Sequence, residues 1–130
     1  MENIKGDRKD YSNKLQYHRV EKSTRQAISR VARYGYQKHA CYDSWKEQEN
    51  PLVYADALER HLSEVLDGNF FDSESGLSHL DAVVWNAQAL THLVYKKLGH
   101  EQDNIEQDNE AIALNWKKML YYDAYPNQKD

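Results

Sequence analysis

Apolar residues in this chain recur at three- and four-residue steps rather than alternating, which is the spacing of one face of a helix. Four stretches carry the pattern. The first runs roughly from Arg19 to Lys38 and aligns Val20, Thr24, Ala27, Ile28, Val31 and Ala32. Gly35 reads as a fraying point near its end, and a polar segment follows from His39 to Asn50. The second spans roughly Leu52 to Leu66, with Ala55, Leu58, Leu62, Val65 and Leu66 as its stripe. Asn50 suits an N-cap, Pro51 suits a first turn, and Asp67-Gly68-Asn69 is a glycine stop signal. The third, roughly Leu77 to Leu98, is apolar over a wide arc (Leu80, Val83, Val84, Ala87, Leu90, Val94 and Leu98), as a central helix would be, and Gly99 ends it. A polar linker from His100 to Asn109 leads to a fourth stretch, about Glu110 to Tyr122, that places Ile112, Trp116, Met119 and Leu120 on one side.

Short connections between helices favour antiparallel neighbours. The expected fold is therefore all-α: one domain over residues 1–130, a compact bundle of about four helices. Its centre is residues 27–98, its last helix 110–122, and its termini are frayed. The strip on the fourth helix fits the same chain or a second copy equally well, so dimerisation is one way of completing the bundle and a homo-oligomer is the expected state.

Composition narrows this further. Five glycines and two prolines in 130 residues give little of the punctuation that a sandwich or barrel needs. The one cysteine, Cys41, cannot form an internal disulfide or anchor a zinc ribbon alone. No apolar run approaches the roughly 18 residues of a membrane span, and the first ten residues carry no secretory apolar region. A soluble protein of the cytoplasm, with no membrane partner, is the expectation. Charge is uneven: residues 1–40 hold ten Lys/Arg against four Asp/Glu, and residues 41–130 hold seven against seventeen. The basic third could meet phosphates. Nucleic acid is nevertheless a minor expectation, because the chain is acidic overall and carries no zinc-finger or basic-zipper spacing.

The densest polar constellation lies between Tyr54 and Asn86. Asp56, Arg60 and Glu64 follow one another at four-residue steps on the second helix, with His61 and Asp67 on the flank. This is either a solvated face with one Asp–Arg pair or a metal or phosphate site, since magnesium takes carboxylate oxygens and arginine grips phosphate in a fork. On the third helix His79 and Asn86 share a core-facing stripe, where polar groups need partners. Asp72, Glu74 and Ser75 stand just before them. A third group, Lys38, His39, Asp43 and Trp45, follows the first helix, with Tyr34, Tyr36, Tyr42 and Tyr54 close by in sequence. Trp45 either stacks on a base or plugs the end of the bundle. Ten tyrosines against two phenylalanines favour rings that stack and hydrogen-bond at once, as a planar ligand or a wet interface would require. No nucleophile elbow, Walker loop, dinucleotide fingerprint or H-E-x-x-H pattern is present.

At these residues a resemblance appears. The stretches Ala27 to His39 (A-I-S-R-V-A-R-Y-G-Y-Q-K-H), Trp45-Lys46, Tyr54 to Leu62 (Y-A-D-A-L-E-R-H-L), Leu66 to Leu80 (L-D-G-N-F-F-D-S-E-S-G-L-S-H-L) and Trp85 to Ala87 are similar in order and spacing to a phage family of dATP/dGTP diphosphohydrolase domains. The resemblance covers about residues 27–90, and in style extends to the all-α nucleotide pyrophosphatases of the MazG type. It implies a nucleotide or nucleotide-derived small molecule as partner, and carboxylates that hold Mg²⁺ while water attacks the phosphate bridge. Carried over residue by residue, Arg60, His61, Asp72, Glu74, Ser75, Gly76, His79 and Asn86 are the matching positions. Asn69 stands where the pattern has Glu, Ala82 where it has a second His, and Ser44 where Asn precedes the tryptophan.

Three readings follow. In the first, the protein is a Mg²⁺-dependent hydrolase releasing monophosphate and pyrophosphate from a (deoxy)nucleoside triphosphate. Glu64, Asp72, Glu74 and His79 would be catalytic, and Asp56, Glu64, Asp72 and Glu74 would hold the metal. Lys38, His39, Trp45, Arg60, His61, Ser75 and Asn86 would bind the ligand. In the second, the missing Glu and His leave a binding module without turnover and without a cofactor, which sequesters a nucleotide-derived immune signal as an anti-defence protein. In the third, the acidic surface after residue 41 meets a protein partner.

Overall fold

The computed structural model describes residues 15–99 and 109–123. Four α-helices dominate: α1 (Lys22–His39), α2 (Leu52–Leu66), α3 (His79–Leu98) and α4 (Asn109–Lys118). Short 3₁₀ turns at Tyr17–Arg19 and Ser44–Glu47 accompany them, and a π-helical turn, Met119–Asp123, extends α4. The fold is thus the expected all-α bundle, and no strand forms among the described residues. An isolated antiparallel bridge joins Phe71 to Ser78 and closes the segment ahead of α3 into a hairpin.

α3 is the shared partner on which α1 and α2 both pack. Arg30 of α1 meets Asp81 near the start of α3, and Trp45, just past the end of α1, meets His92 further along α3. His61 meets His79 and Tyr54 meets Trp85, so α2 runs antiparallel to α3. α4 makes a smaller contact with α3, with Met119 buried behind it.

The helix ends follow from side-chain chemistry. Asn50 Oδ1 accepts from Leu52 N–H at 3.1 Å, so the expected cap at the start of α2 is made. Ser78 Oγ accepts from Leu80 N–H at 2.8 Å and from Asp81 N–H at 3.4 Å, which starts α3 at His79 rather than at Leu77. Gly99 takes a left-handed φ of 72° and ends α3. Two expectations are corrected at α1. The helix begins at Lys22, because Tyr17–Arg19 closes a separate 3₁₀ turn. It does not fray at Gly35: it runs on to His39 and stops at Ala40, which adopts φ 56° and returns its N–H to the Tyr36 carbonyl.

Burial divides α3 along its length. Ala89, Leu93 and Val94 form the apolar core of its second half, while Ala27 of α1 is buried beside its first half. That first half buries polar side chains instead: His79, Asp81 and Asn86. None of the described buried side-chain nitrogens or oxygens lacks a partner, so the polar half is hydrogen-bonded throughout.

Candidate functional site

The buried polar residues of α3 are tied to three different elements. Asn86 is tied to its own helix: its amide donates to the Ala82 carbonyl at 2.8 Å, one turn back. It lies inside the packing and away from every cleft described below. Asp81 forms a bidentate pair with Arg30, at 2.7 and 2.9 Å, and the guanidinium remains 43% exposed while the carboxylate side chain is 7% exposed. The carboxylate raises the Arg30 pKa still further, so the guanidinium stays charged.

His79 is tied to α2. Its Nδ1 lies 2.8 Å from Nδ1 of His61, and the rings are tilted by 43°. Partial burial, together with repulsion from His79, lowers the His61 pKa below its ordinary 6.5. A contact between two Nδ1 atoms requires one to carry a proton and the other a lone pair. The donor ring then keeps a lone pair on Nε2, and the acceptor ring keeps an N–H there. The pair therefore presents one proton acceptor and one proton donor.

The hairpin ahead of α3 is built by Asp72. Its Oδ2 accepts from the Ser75 N–H at 2.8 Å and from the Ser75 hydroxyl at 2.9 Å, a closed Asx turn. These bonds hold the carboxyl below its usual range. Backbone bonds from Gly76 to Asp72 and from Asp72 to Leu77, both 2.8 Å, complete the turn, and Gly76 supplies the required φ of 76°. The tip reaches α1, where Glu74 Oε1 accepts from Lys38 Nζ at 2.9 Å and from the Tyr34 hydroxyl at 3.4 Å. Lys38 in turn keeps the Glu74 carboxyl below its usual range. Both side chains of this ion pair are at least half exposed, so it is a weak latch.

A polar cleft lies against this hairpin, and an aromatic cavity adjoins Lys38, which the hairpin tip reaches. The polar cleft, about 880 Å³, is lined by Arg60, His61 and Glu64 of α2, by Asn69, Asp72 and Ser73, and by His79. Glu64 Oε2 accepts from the Asn69 amide at 3.2 Å. The aromatic cavity, about 340 Å³, lies between the C-terminal half of α1 and the start of α2; Trp45, Tyr54 and Trp85 form its walls, with Lys38 and His39 at its edge. Trp45 packs edge-on against Trp85 at 5.5 Å and His92 at 5.4 Å, and burial pushes the Tyr54 phenol up.

The structure therefore brings Arg60, His61, Glu64, Asp72 and His79 to one cleft and Lys38, His39 and Trp45 to the other cavity. Ser75 serves the turn and Glu74 the latch. Asp56 is exposed on α2 outside both, and the Asp56–Arg60 pair is not among the ion pairs of the described residues. Nor do the described residues contain a group of three or more His, Cys, Asp or Glu arranged to hold a metal ion. The four carboxylates expected to share a metal, Asp56, Glu64, Asp72 and Glu74, are thus divided between a solvated face, the cleft and the latch. Two features escaped the sequence reading. The Arg30–Asp81 pair joins residues 51 apart, and its one signal was a charge four residues before Trp85 on a helix otherwise apolar at that face. The direct His61–His79 contact had both partners named but not joined.

None of the described helices is long and apolar enough to cross a membrane. A family model described as dATP/dGTP diphosphohydrolase, N-terminal, matches residues 5–105. No curated protein and no solved structure matches the chain.

Proposed function

The chain belongs to the dATP/dGTP diphosphohydrolase N-terminal family, and from that premise we propose that the polar cleft takes the polyphosphate of a (deoxy)nucleoside triphosphate and directs its hydrolysis to monophosphate and pyrophosphate. The observation that carries this reading is the 2.8 Å His61–His79 contact on a cleft that also holds Arg60. The outer lone pair of the donor imidazole accepts a proton from water as its oxygen bonds to phosphorus. The phosphorus–oxygen bond to the leaving pyrophosphate breaks, and that oxygen keeps the electron pair. The outer N–H of the second imidazole and the Arg60 guanidinium neutralise the charge that develops. The depressed His61 pKa keeps that imidazole neutral at pH 7, so that it can take part in proton transfer.

Magnesium in phosphate-transfer sites is held by one or two carboxylates together with the phosphates themselves. The donor chemistry of the cleft fits that arrangement and not a cage made by the protein alone. Glu64 has one oxygen committed to Asn69, and Asp72 has one committed to Ser75, so each keeps a second oxygen for an ion that arrives on the substrate. Bound there, the ion would supply Lewis-acid stabilisation of the phosphate oxygens. Asp56 and Glu74 have no part in this donor set.

One observation favours the second reading, in which a nucleotide-derived signal is bound without turnover. Asn69, at a position where the resembling pattern has Glu, donates to Glu64 and replaces what would be a second carboxylate with a neutral amide. Incubation with a panel of dNTPs, NTPs and cyclic nucleotides, with and without Mg²⁺, followed by chromatography before and after heat denaturation, separates the two. Monophosphate plus pyrophosphate, lost in His61→Ala and Arg60→Ala, is the expected result. A ligand withdrawn from solution and returned intact on heating replaces hydrolysis with sequestration. A panel left free and unchanged ends both.

A further inference from the structure

Gly35 sits in the interior of α1, where glycine is less favourable than alanine because it gives up more backbone freedom. Its conformation does not require glycine, since its φ is not in the left-handed region that the other described glycines adopt. Packing does not require it either, because a β-carbon built there meets nothing within 4 Å. The open space belongs to the aromatic cavity that Gly35 helps to line. Lack of a side chain at this position therefore enlarges a cavity and contributes nothing else visible in the fold.

The cavity has the character of a site for a flat heteroaromatic ring. Its volume of about 340 Å³ lies within the range of small-ligand pockets. Trp45, Tyr54 and Trp85 wall it, Trp45 and Tyr54 each packing edge-on with Trp85, and rings of this kind stack on planar guests. Lys38 lines its edge and also holds Glu74, two residues beyond Asp72 of the polar cleft. The exposed Lys38–Glu74 latch thus stands between the edge of the aromatic cavity and the hairpin that lines the polar cleft.

We infer that the aromatic cavity is the base subsite of this protein: it takes the nucleobase of a deoxynucleoside, and the phosphates lead from it past Lys38 to the polar cleft. This rests on the nucleotide reading above but concerns a different set of residues, so the two can fail separately. The probes are 2′-deoxyadenosine and 2′-deoxyguanosine, which carry no phosphate, and inorganic tripolyphosphate, which carries no base, each titrated calorimetrically into the full chain. Both nucleosides bind the wild type and quench its tryptophan emission. Gly35→Leu, which fills the cavity, weakens the nucleosides about tenfold and leaves tripolyphosphate unchanged. Arg60→Ala does the reverse. Gly35→Ala, which adds a single methyl to a helix it should stabilise, gives a smaller loss in the same direction.

Nucleosides that do not bind, that bind Gly35→Leu as well as wild type, or that are lost with Arg60→Ala instead would overturn the assignment. Nucleoside binding that depends on Gly35, with no tripolyphosphate binding at all, upholds the base subsite and removes the polyphosphate reading of the cleft.

Discussion

Joining two imidazoles through their Nδ1 atoms has an energetic consequence that a double-mutant cycle can read. His79 is 7% exposed, whereas His61 is half-buried and in reach of solvent. His61→Phe keeps a flat ring on α2 but leaves Nδ1 of the buried His79 without a partner. An orphaned buried polar group costs about 1–3 kcal/mol. His79→Phe leaves the orphan on His61, where water can satisfy it, so its cost is smaller. The double variant leaves no orphan, and exchanging both partners for apolar rings of similar shape is close to neutral. The singles are therefore expected to sum to more than the double, with a coupling of about 1 kcal/mol or above, the usual size for directly bonded residues. In a chain of 130 residues each kcal/mol moves the thermal midpoint by about 3–5 °C. Urea unfolding at pH 7.5, above the depressed pKa of His61, gives the four stabilities. The pH dependence supplies a second arm. Because the folded-state pKa of His61 is depressed, the unfolded chain binds more protons below 6.5. Stability is thus full above that pH and declines as pH falls towards the lower folded value. The His61→Phe variant should lack this part of the decline. Additive free energies, within about 0.3–0.5 kcal/mol, would refute the bonded pair.

The hairpin and the helix ends give further tests. Asp72 is held below its ordinary 3.8 by Ser75, so its share of stability is present above that pH and is lost as pH falls through the lower folded value. Asp72→Asn, which keeps an acceptor for Ser75, should flatten the acid end of a midpoint-versus-pH curve, and an unchanged curve would remove Asp72 as its cause. Ser78→Ala deletes the acceptor for Leu80 and Asp81 at the start of α3 and should cost about 1 kcal/mol in urea unfolding. Ser78→Asp should recover most of it. Gly35→Ala should stabilise α1 by about 0.5–1 kcal/mol, read as a raised thermal midpoint, because the added methyl meets open space. A lowered midpoint would mean that the cavity wall is tighter there than the geometry says.

Where local chemistry decides an outcome, the amino-acid pattern already contained it. The bounds of α2, Leu52–Leu66, were legible because Asn50 and Pro51 mark one end and Asp67-Gly68 the other. The stripe on the last helix was legible too: Ile112, Trp116, Met119 and Leu120 are its less exposed residues. The end of α1 was legible to within a residue, Lys38 against His39, although Ala40 takes a left-handed conformation with no glycine or asparagine to announce it. The candidate site was legible as a list of residues and not as a grouping. Arg60, His61, Glu64, Asp72 and His79 were all named, but helical spacing alone gave no reason to separate them from Asp56 or Asn86. Asp56 faces solvent, and Asn86 satisfies itself on the Ala82 carbonyl within α3. Which of several polar residues reach one cleft is set by how α2 and the hairpin dock on α3, and that is long-range information.

The division of α3 connects stability to function. Its second half buries Ala89, Leu93 and Val94, so apolar burial, which needs no particular geometry, can anchor the bundle there. Its first half buries His79 and Asp81, which are satisfied only if α2 delivers His61 and α1 delivers Arg30 in register. Polar burial of this kind contributes less net stability than apolar burial but penalises every misaligned arrangement, because each misalignment leaves a buried group unpaired. The bonds that set the register of α1, α2 and α3 thus lie at the same end of α3 as the hairpin and the two clefts. A substitution that loosens the apolar half should lower the thermal midpoint while leaving the ratio of nucleoside to tripolyphosphate affinity intact. Loss of the Arg30–Asp81 pair through Arg30→Met should change that ratio, because α1 carries Gly35 and Lys38 to one site while α2 carries Arg60 and His61 to the other. Equal changes in both affinities for Arg30→Met would show that the two helices do not hold the sites independently.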